Sequence, residues 1–249
     1  MISKETLILN SIVFKDQMDQ GISQADLVEE VASLGLRRFE VRREFLKDID
    51  RELLLIKQAA DKYAVALFYS VNEDFLVDGK VNSELTQLLD EAKVLSAPFV
   101  KMNTGSARDV SHESLDDLAL HLQQSDIGIR LENNQDPDNA TITNCQAVMA
   151  LIAEANLPIS FVFDTANWAF LDQDLNEAVR VFEPVTSYLH VKNYQLKEGQ
   201  KEVASFFAGE IDLVELYQQF HQLDYFALEY ACPLEVLKAD IECLFEVLV

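Results

Sequence analysis

The chain has 249 residues, 49% hydrophobic and 25% charged, with only 7 Gly and 5 Pro, which is the composition of an ordinary globular protein long enough to bury a large core. Its 43 acidic residues against 20 basic ones leave a net charge of −23, which repels phosphate backbones and anionic membranes and excludes nucleic acid and membrane as expected partners. Cys145, Cys232 and Cys243 form no CxxC pair, and the N-terminus has no cleavage signal or apolar stretch of ~18 residues, so a reduced, cytoplasmic chain is expected.

In chain order, the first strand-like run is TLILNSIVF at 6–14, and SQADLVEEVASLG follows as a helix that Ser23 can start and Gly35 can end. RRFEV at 37–41 and YAVALFYS at 63–70 bracket the helical pattern DIDRELLLIKQAADKY, and NSELTQLLDEAKVLSA leads into APFVKMNT at 97–104. SLDDLALHLQQS precedes IGIRLENN at 127–134, and TNCQAVMALIAEAN, with Thr143 and Gln146 at capping-box spacing, precedes ISFVFDT at 159–165. LNEAVRVFEP, TSYLHVKN at 186–193, DLVELYQQFHQL and YFALEYA at 225–231 complete the alternation. The apolar tail LFEVLV is expected to be buried, either in the chain's own ring of helices or in a homo-oligomer. Eight strand–helix units without a Pro/Gly-rich linker predict the α/β class and a closed (β/α)8 TIM barrel, one domain over residues 1–249. No GxGxxG or GxxxxGKS/T motif supports a nucleotide-binding open sheet instead.

A barrel of this kind assembles its site from residues at the C-terminal ends of its strands, so polar residues that close apolar runs are the informative ones. Glu132 ends the fifth run, Asp164 the sixth, and His190 and Glu229 lie near the ends of the seventh and eighth, each about one repeat after the last. Taken singly, each acid reads better as a helix cap or a partner for a neighbouring cation, and His190 alone could be a core histidine. Together, three carboxylates and one imidazole form an oxygen-rich donor set suited to Mn²⁺, Mg²⁺ or Co²⁺, with Zn²⁺ also accommodated.

The segments LENN, FDTANW, LHVKN and GEIDLVELYQQFHQLDYFALEY resemble the last four units of the xylose-isomerase-like barrels, in the sugar phosphate isomerase/epimerase branch. The resemblance implies that Glu132, Asp164, His190 and Glu229 bind one divalent metal. It also implies that Glu132 and Glu229 flank a small carbohydrate, one removing a proton beside a carbonyl and the other returning it, through a metal-stabilised enediolate. Isomerisation, epimerisation and inosose-type dehydration all begin this way, and a barrel that has lost its chemistry and only binds sugar is the non-enzymatic alternative.

Lys192, Glu40, Arg42, Tyr69, Lys101 and Asn167 are the candidate substrate contacts, each at the end of a strand or just beyond it. The stretch from Tyr194 to Glu210, with Phe206 and Phe207, is long enough to be a lid over the mouth, or else a surface loop. The chain departs from the family pattern at Asn167, where a histidine is common, at Asn193, where HxKD becomes HVKN, and at Leu196, where ketose epimerases carry arginine. Its substrate contacts are therefore expected to differ from theirs. The related zinc-dependent apurinic-site endonucleases need a histidine-rich cluster, and this chain has only His112, His121, His190 and His221.

Overall fold

Period-two alternation within each strand sets the architecture, which a computed structural model describes for residues 2–122 and 125–248. Eight strands form a ring: β1 (Leu7–Asn10), β2 (Arg38–Arg42), β3 (Ala66–Val77), β4 (Phe99–Gly105), β5 (Gly128–Glu132), β6 (Ile159–Asp164), β7 (Thr186–Val191) and β8 (Tyr225–Leu228). Each is parallel to the next, β8 pairs with β1, and the ring closes. The chain is thus a (β/α)8 TIM barrel.

One set of side chains on each strand faces outward under the helices; the other fills the barrel. Ile8, Phe68, Phe99, Val162, Tyr188 and Ala227 form a dry layer across the interior, with the Phe99 ring 5.8 Å from Tyr188. Two residues further along the same six strands stand Asn10, Ser70, Lys101, Asp164, His190 and Glu229, all buried. A polar layer at the C-terminal end therefore rests on an apolar floor.

The helices follow from their caps and apolar stripes. Ser23 and Asp26 form a reciprocal capping box for Gln24–Ser33, and Gly35, at φ +76°, ends that helix in the left-handed conformation. For Ile142–Glu154 the cap is Thr141, which accepts from the Asn144 N–H, and not Thr143. The helix predicted within SLDDLALHLQQS is seen from His112 to Leu122; Gln123 and Gln124, the His121 side chain and the tail residue Val249 lie outside the described residues. In the C-terminal helix Leu234–Val247, Leu237, Ile241 and Leu244 are buried in the chain's own helical ring. DLVELYQQFHQL forms only the short helix Leu213–Gln218, so His221 lies beyond its end. Among the described residues no helix is long and apolar enough to cross a membrane.

The segment after β7 departs most from expectation. Asn193–Lys197 and Gln200–Ala204 pair antiparallel, joined through Glu198 (φ 52°) and Gly199 (φ 82°), two left-handed residues that suit a tight hairpin turn. The stretch expected as a lid or a surface loop is therefore a β-hairpin rooted beside the mouth of the barrel.

Candidate metal and active site

The ends of β5, β7 and β8 bring Glu132, His190 and Glu229 together, with one donor atom of each within 4.8 Å of the others. Glu132 Oε1 is 2.7 Å and Glu229 Oε2 3.1 Å from His190 Nδ1, so two carboxylates converge on one ring nitrogen. The other oxygen of each carboxylate is anchored by a cation: Glu132 Oε2 by Lys101 Nζ at 2.5 Å, and Glu229 Oε1 by Arg42 Nη1 at 2.6 Å. On its far side, His190 Nε2 lies 3.0 Å from Glu40. Glu40 in turn accepts from Asn10 Nδ2 and from the Tyr188 hydroxyl, each at 2.6 Å. With Nε2–H donated to Glu40, Nδ1 faces the gap between Glu132 and Glu229, where it carries a proton between the two carboxylates and, once a cation displaces that proton, offers its lone pair.

Asp164 stands beside this trio. Its Oδ1 accepts the N–H groups of Ala166 and Asn167 at 3.0 and 2.9 Å, and its Oδ2 faces Lys192 Nζ at 2.7 Å. Lys192 is also 3.8 Å from Glu229 Oε2, and so bridges the two acids. Asp164 Oδ2 and Glu229 Oε2 are both buried without an aligned hydrogen bond. An imidazole nitrogen and several carboxylate oxygens converging on one gap form a donor set that fits a divalent cation.

The electrostatics follow from this arrangement. Burial and Glu229 would raise the Glu132 carboxyl, but Lys101 and His190 outweigh them and hold it at about 2. Burial also opposes ionisation of Glu229, yet His190, Lys192 and Arg42 keep it well below the usual carboxylate range. Burial works against charging His190, and the carboxylates of Glu229, Glu40 and Glu132 overcome it, raising the imidazole well above its ordinary value. For Asp164 burial prevails over Lys192, and its carboxyl rises to about 7.

Above the cluster opens a cavity of about 340 Å³, lined by Arg42, Glu132, Asn167, Lys192 and Glu229 among others, with Val203 of the hairpin at its edge. Arg42, Asn167 and Lys192 thus stand where a substrate contact was expected. Glu40, Tyr69 and Lys101 do not. Glu40 is wholly buried beneath His190, and Lys101, 1% exposed, lies under Glu132. Tyr69 points out of the barrel, because its odd-numbered position on β3 faces the helix Leu85–Leu95, where its hydroxyl donates to Glu91 at 2.5 Å. Sequence reasoning missed Asn10, Asn103 and Asn133. Asn10 closes β1 just as Glu132 closes β5, so the same rule would have found it. Asn133 accepts the Asp164 N–H at 2.9 Å and donates to the Asp164 carbonyl at 3.1 Å, which fixes the height of Asp164.

The xylose isomerase-like TIM barrel family matches residues 28–247 of the chain. The fold is also that of the probable 3-DHS dehydratase AsbF of Bacillus anthracis, at TM-score 0.71 and 16% identity over 96% of this chain and 98% of that one. The 3-keto-D-glucoside 4-epimerase YcjR of E. coli aligns at TM-score 0.65 and 13% identity, over 97% and 99% of the two chains. The IolI protein, solved with a bound zinc atom, aligns at TM-score 0.64 and 14% identity, over 98% and 96%. No curated protein matches the sequence.

Proposed function

Because the chain belongs to the xylose isomerase-like TIM barrel family, we propose that it is a divalent-metal-dependent enzyme that isomerises or epimerises a small carbohydrate hydroxy-ketone by proton transfer. The observation that carries this reading is the mirrored placement of Glu132 and Glu229, each with one oxygen anchored by a cation and the other turned to His190 Nδ1. Glu132, His190 and Glu229 would hold the cation, with Asp164 as the fourth member of the set and Lys192 beside Asp164 and Glu229. When bound, Mn²⁺, Mg²⁺, Co²⁺ or Zn²⁺ would act as a Lewis acid that acidifies the C–H beside a substrate carbonyl.

Glu132 and Glu229 come from strands on different sides of the mouth, so they flank whatever lies in the cavity. One takes the proton from the carbon and the other delivers a proton, to the opposite face in an epimerisation. Lys101 and Arg42 hold the two carboxylates in place, so neither has to reorient for transfer. Lys192, 12% exposed at its side chain, is placed to hydrogen-bond a substrate oxygen. A dehydration would begin with the same proton removal and differ only in the leaving hydroxyl.

Metal analysis of protein purified without chelator tests the first half of the proposal: a bound or readily bindable divalent ion is expected in the native chain and not in His190→Ala. A chain that binds none of the four ions refutes the proposal. Incorporation of solvent deuterium into a panel of ketoses and inososes tests the second half. Glu132→Gln and Glu229→Gln should each lower exchange by about 10²–10⁴-fold while remaining folded. Full exchange in both variants would rule out the two-carboxylate mechanism.

A further inference from the structure

We infer that the substrate is an uncharged polyhydroxylated ketone, and not a sugar phosphate or sugar acid; this rests on the carbohydrate reading above. Arg42 and Lys192 are the basic residues that line the cavity among the described residues, and both are already paired. Arg42 lies between Glu229 and Glu44, 2.6 Å from each, and Lys192 between Asp164 at 2.7 Å and Glu229 at 3.8 Å. The remaining cation of the cluster, Lys101, lies below with its charge on Glu132. A phosphate or carboxylate on the substrate would compete for both cations with Glu229, which is 4% exposed and faces each of them. It would also share the cavity with the carboxylates of Glu132 and Glu229, in a chain of net charge −23.

The uncharged groups in the cavity complement hydroxyls. Asn72, Asn103, Asn134, Gln135 and Asn167 all line it. Asn103, two residues past Lys101 and so on the same interior face of β4, is 2% exposed. Its Nδ2 donates to the Asn72 carbonyl and Oδ1 at 3.1 and 3.3 Å, which leaves its own Oδ1 buried without a partner. An orphaned acceptor needs a donor. A sugar hydroxyl supplies one, as it also does for the carboxylates, whereas an ionised phosphate only accepts. Asn103 is accordingly assigned as the residue that selects for a hydroxyl.

The test is calorimetric titration of the protein, loaded with its metal, with D-fructose and D-tagatose and with their 1- and 6-phosphates, read alongside deuterium incorporation into each. The free ketoses should bind at least about tenfold more tightly than their phosphates, and Asn103→Leu should weaken free-ketose binding by about tenfold or more without a like effect on metal binding. Tighter binding of the phosphates, failure of both classes to bind, or unchanged free-ketose affinity in Asn103→Leu each overturns the inference. Deuterium incorporation into the phosphates alone would overturn it and leave the proposed function standing. Selective binding of free ketoses without any incorporation would do the reverse.

Discussion

The interior acids and bases are tied into one cluster, and Glu40 shows how a residue acts in it without touching the cavity. All three of its neighbours, Asn10 Nδ2, Tyr188 Oη and His190 Nε2, are placed to donate to it. Glu40→Gln puts an amide N–H against one of these donors. The arrangement that relieves the clash at the imidazole moves the ring proton to Nδ1, where the lone pair has to point for a metal. The variant should therefore fold and bind a divalent ion about 10–100-fold more weakly by calorimetric titration. Native affinity in a folded Glu40→Gln would remove Glu40 from the site's machinery. The sequence shows which face of β2 carries Glu40 but not its depth in the barrel, because height depends on the stagger between strands. Glu132, Asp164, His190 and Glu229 were legible for the complementary reason: each is a polar residue at or near the end of an apolar run. Tyr69 was misplaced because β3 runs well beyond the end of its apolar run, so its inward set could not be fixed by counting back from an assumed strand end.

At the scale of elements, the hairpin after β7 depends on Asn193. Its Nδ2 donates to the carbonyls of Phe206 at 3.1 Å and Ile211 at 2.8 Å, and its Oδ1 accepts the N–H groups of Tyr194 at 2.9 Å and Ile211 at 3.0 Å. Gly209 lies against this side chain so closely that a Cβ would sit 2.1 Å from Asn193 Cγ. Asn193→Asp, which would restore the HxKD pattern, keeps the two accepted bonds but sets a carboxylate against two carbonyls. Amides of residues 200–210 should then exchange with solvent roughly ten- to a hundredfold faster, the equivalent of about 1–3 kcal/mol of local stability, while the barrel strands stay protected. Unchanged exchange in the hairpin would show that Asn193 does not clamp it. The departure from HxKD was legible in the sequence, whereas the hairpin was not. QLKEGQKEVA shows neither strict alternation nor a β-branched run, and only the Glu198–Gly199 turn hints at it.

For the whole molecule, two kinds of electrostatics coexist and respond differently to salt. The −23 net charge is spread largely over exposed acids, whose mutual repulsion is screened beyond ~10 Å at 0.1 M salt, so added salt should raise the thermal midpoint of the native chain. The pairs in the barrel are shielded from that screening: Lys101 and Glu132 are 1% and 5% exposed at their side chains. Lys101→Met leaves the Glu132 carboxylate buried without its main partner and should cost about 3–5 kcal/mol at pH 7, nearly the same at low and high salt. The pH dependence has a definite sign. Glu132 titrates at about 2 in the fold, below its unfolded value near 4.5, so its contribution is complete above pH ~4.5 and is lost as the pH falls towards 2. The gap between native and Lys101→Met midpoints should therefore narrow on acidification across that window while staying flat with salt. A gap that closes with salt at pH 7 would place this pair in solvent contact, and would undo the view that the apolar floor of Phe68, Phe99 and Tyr188 holds a dry, preorganised layer of charge above it.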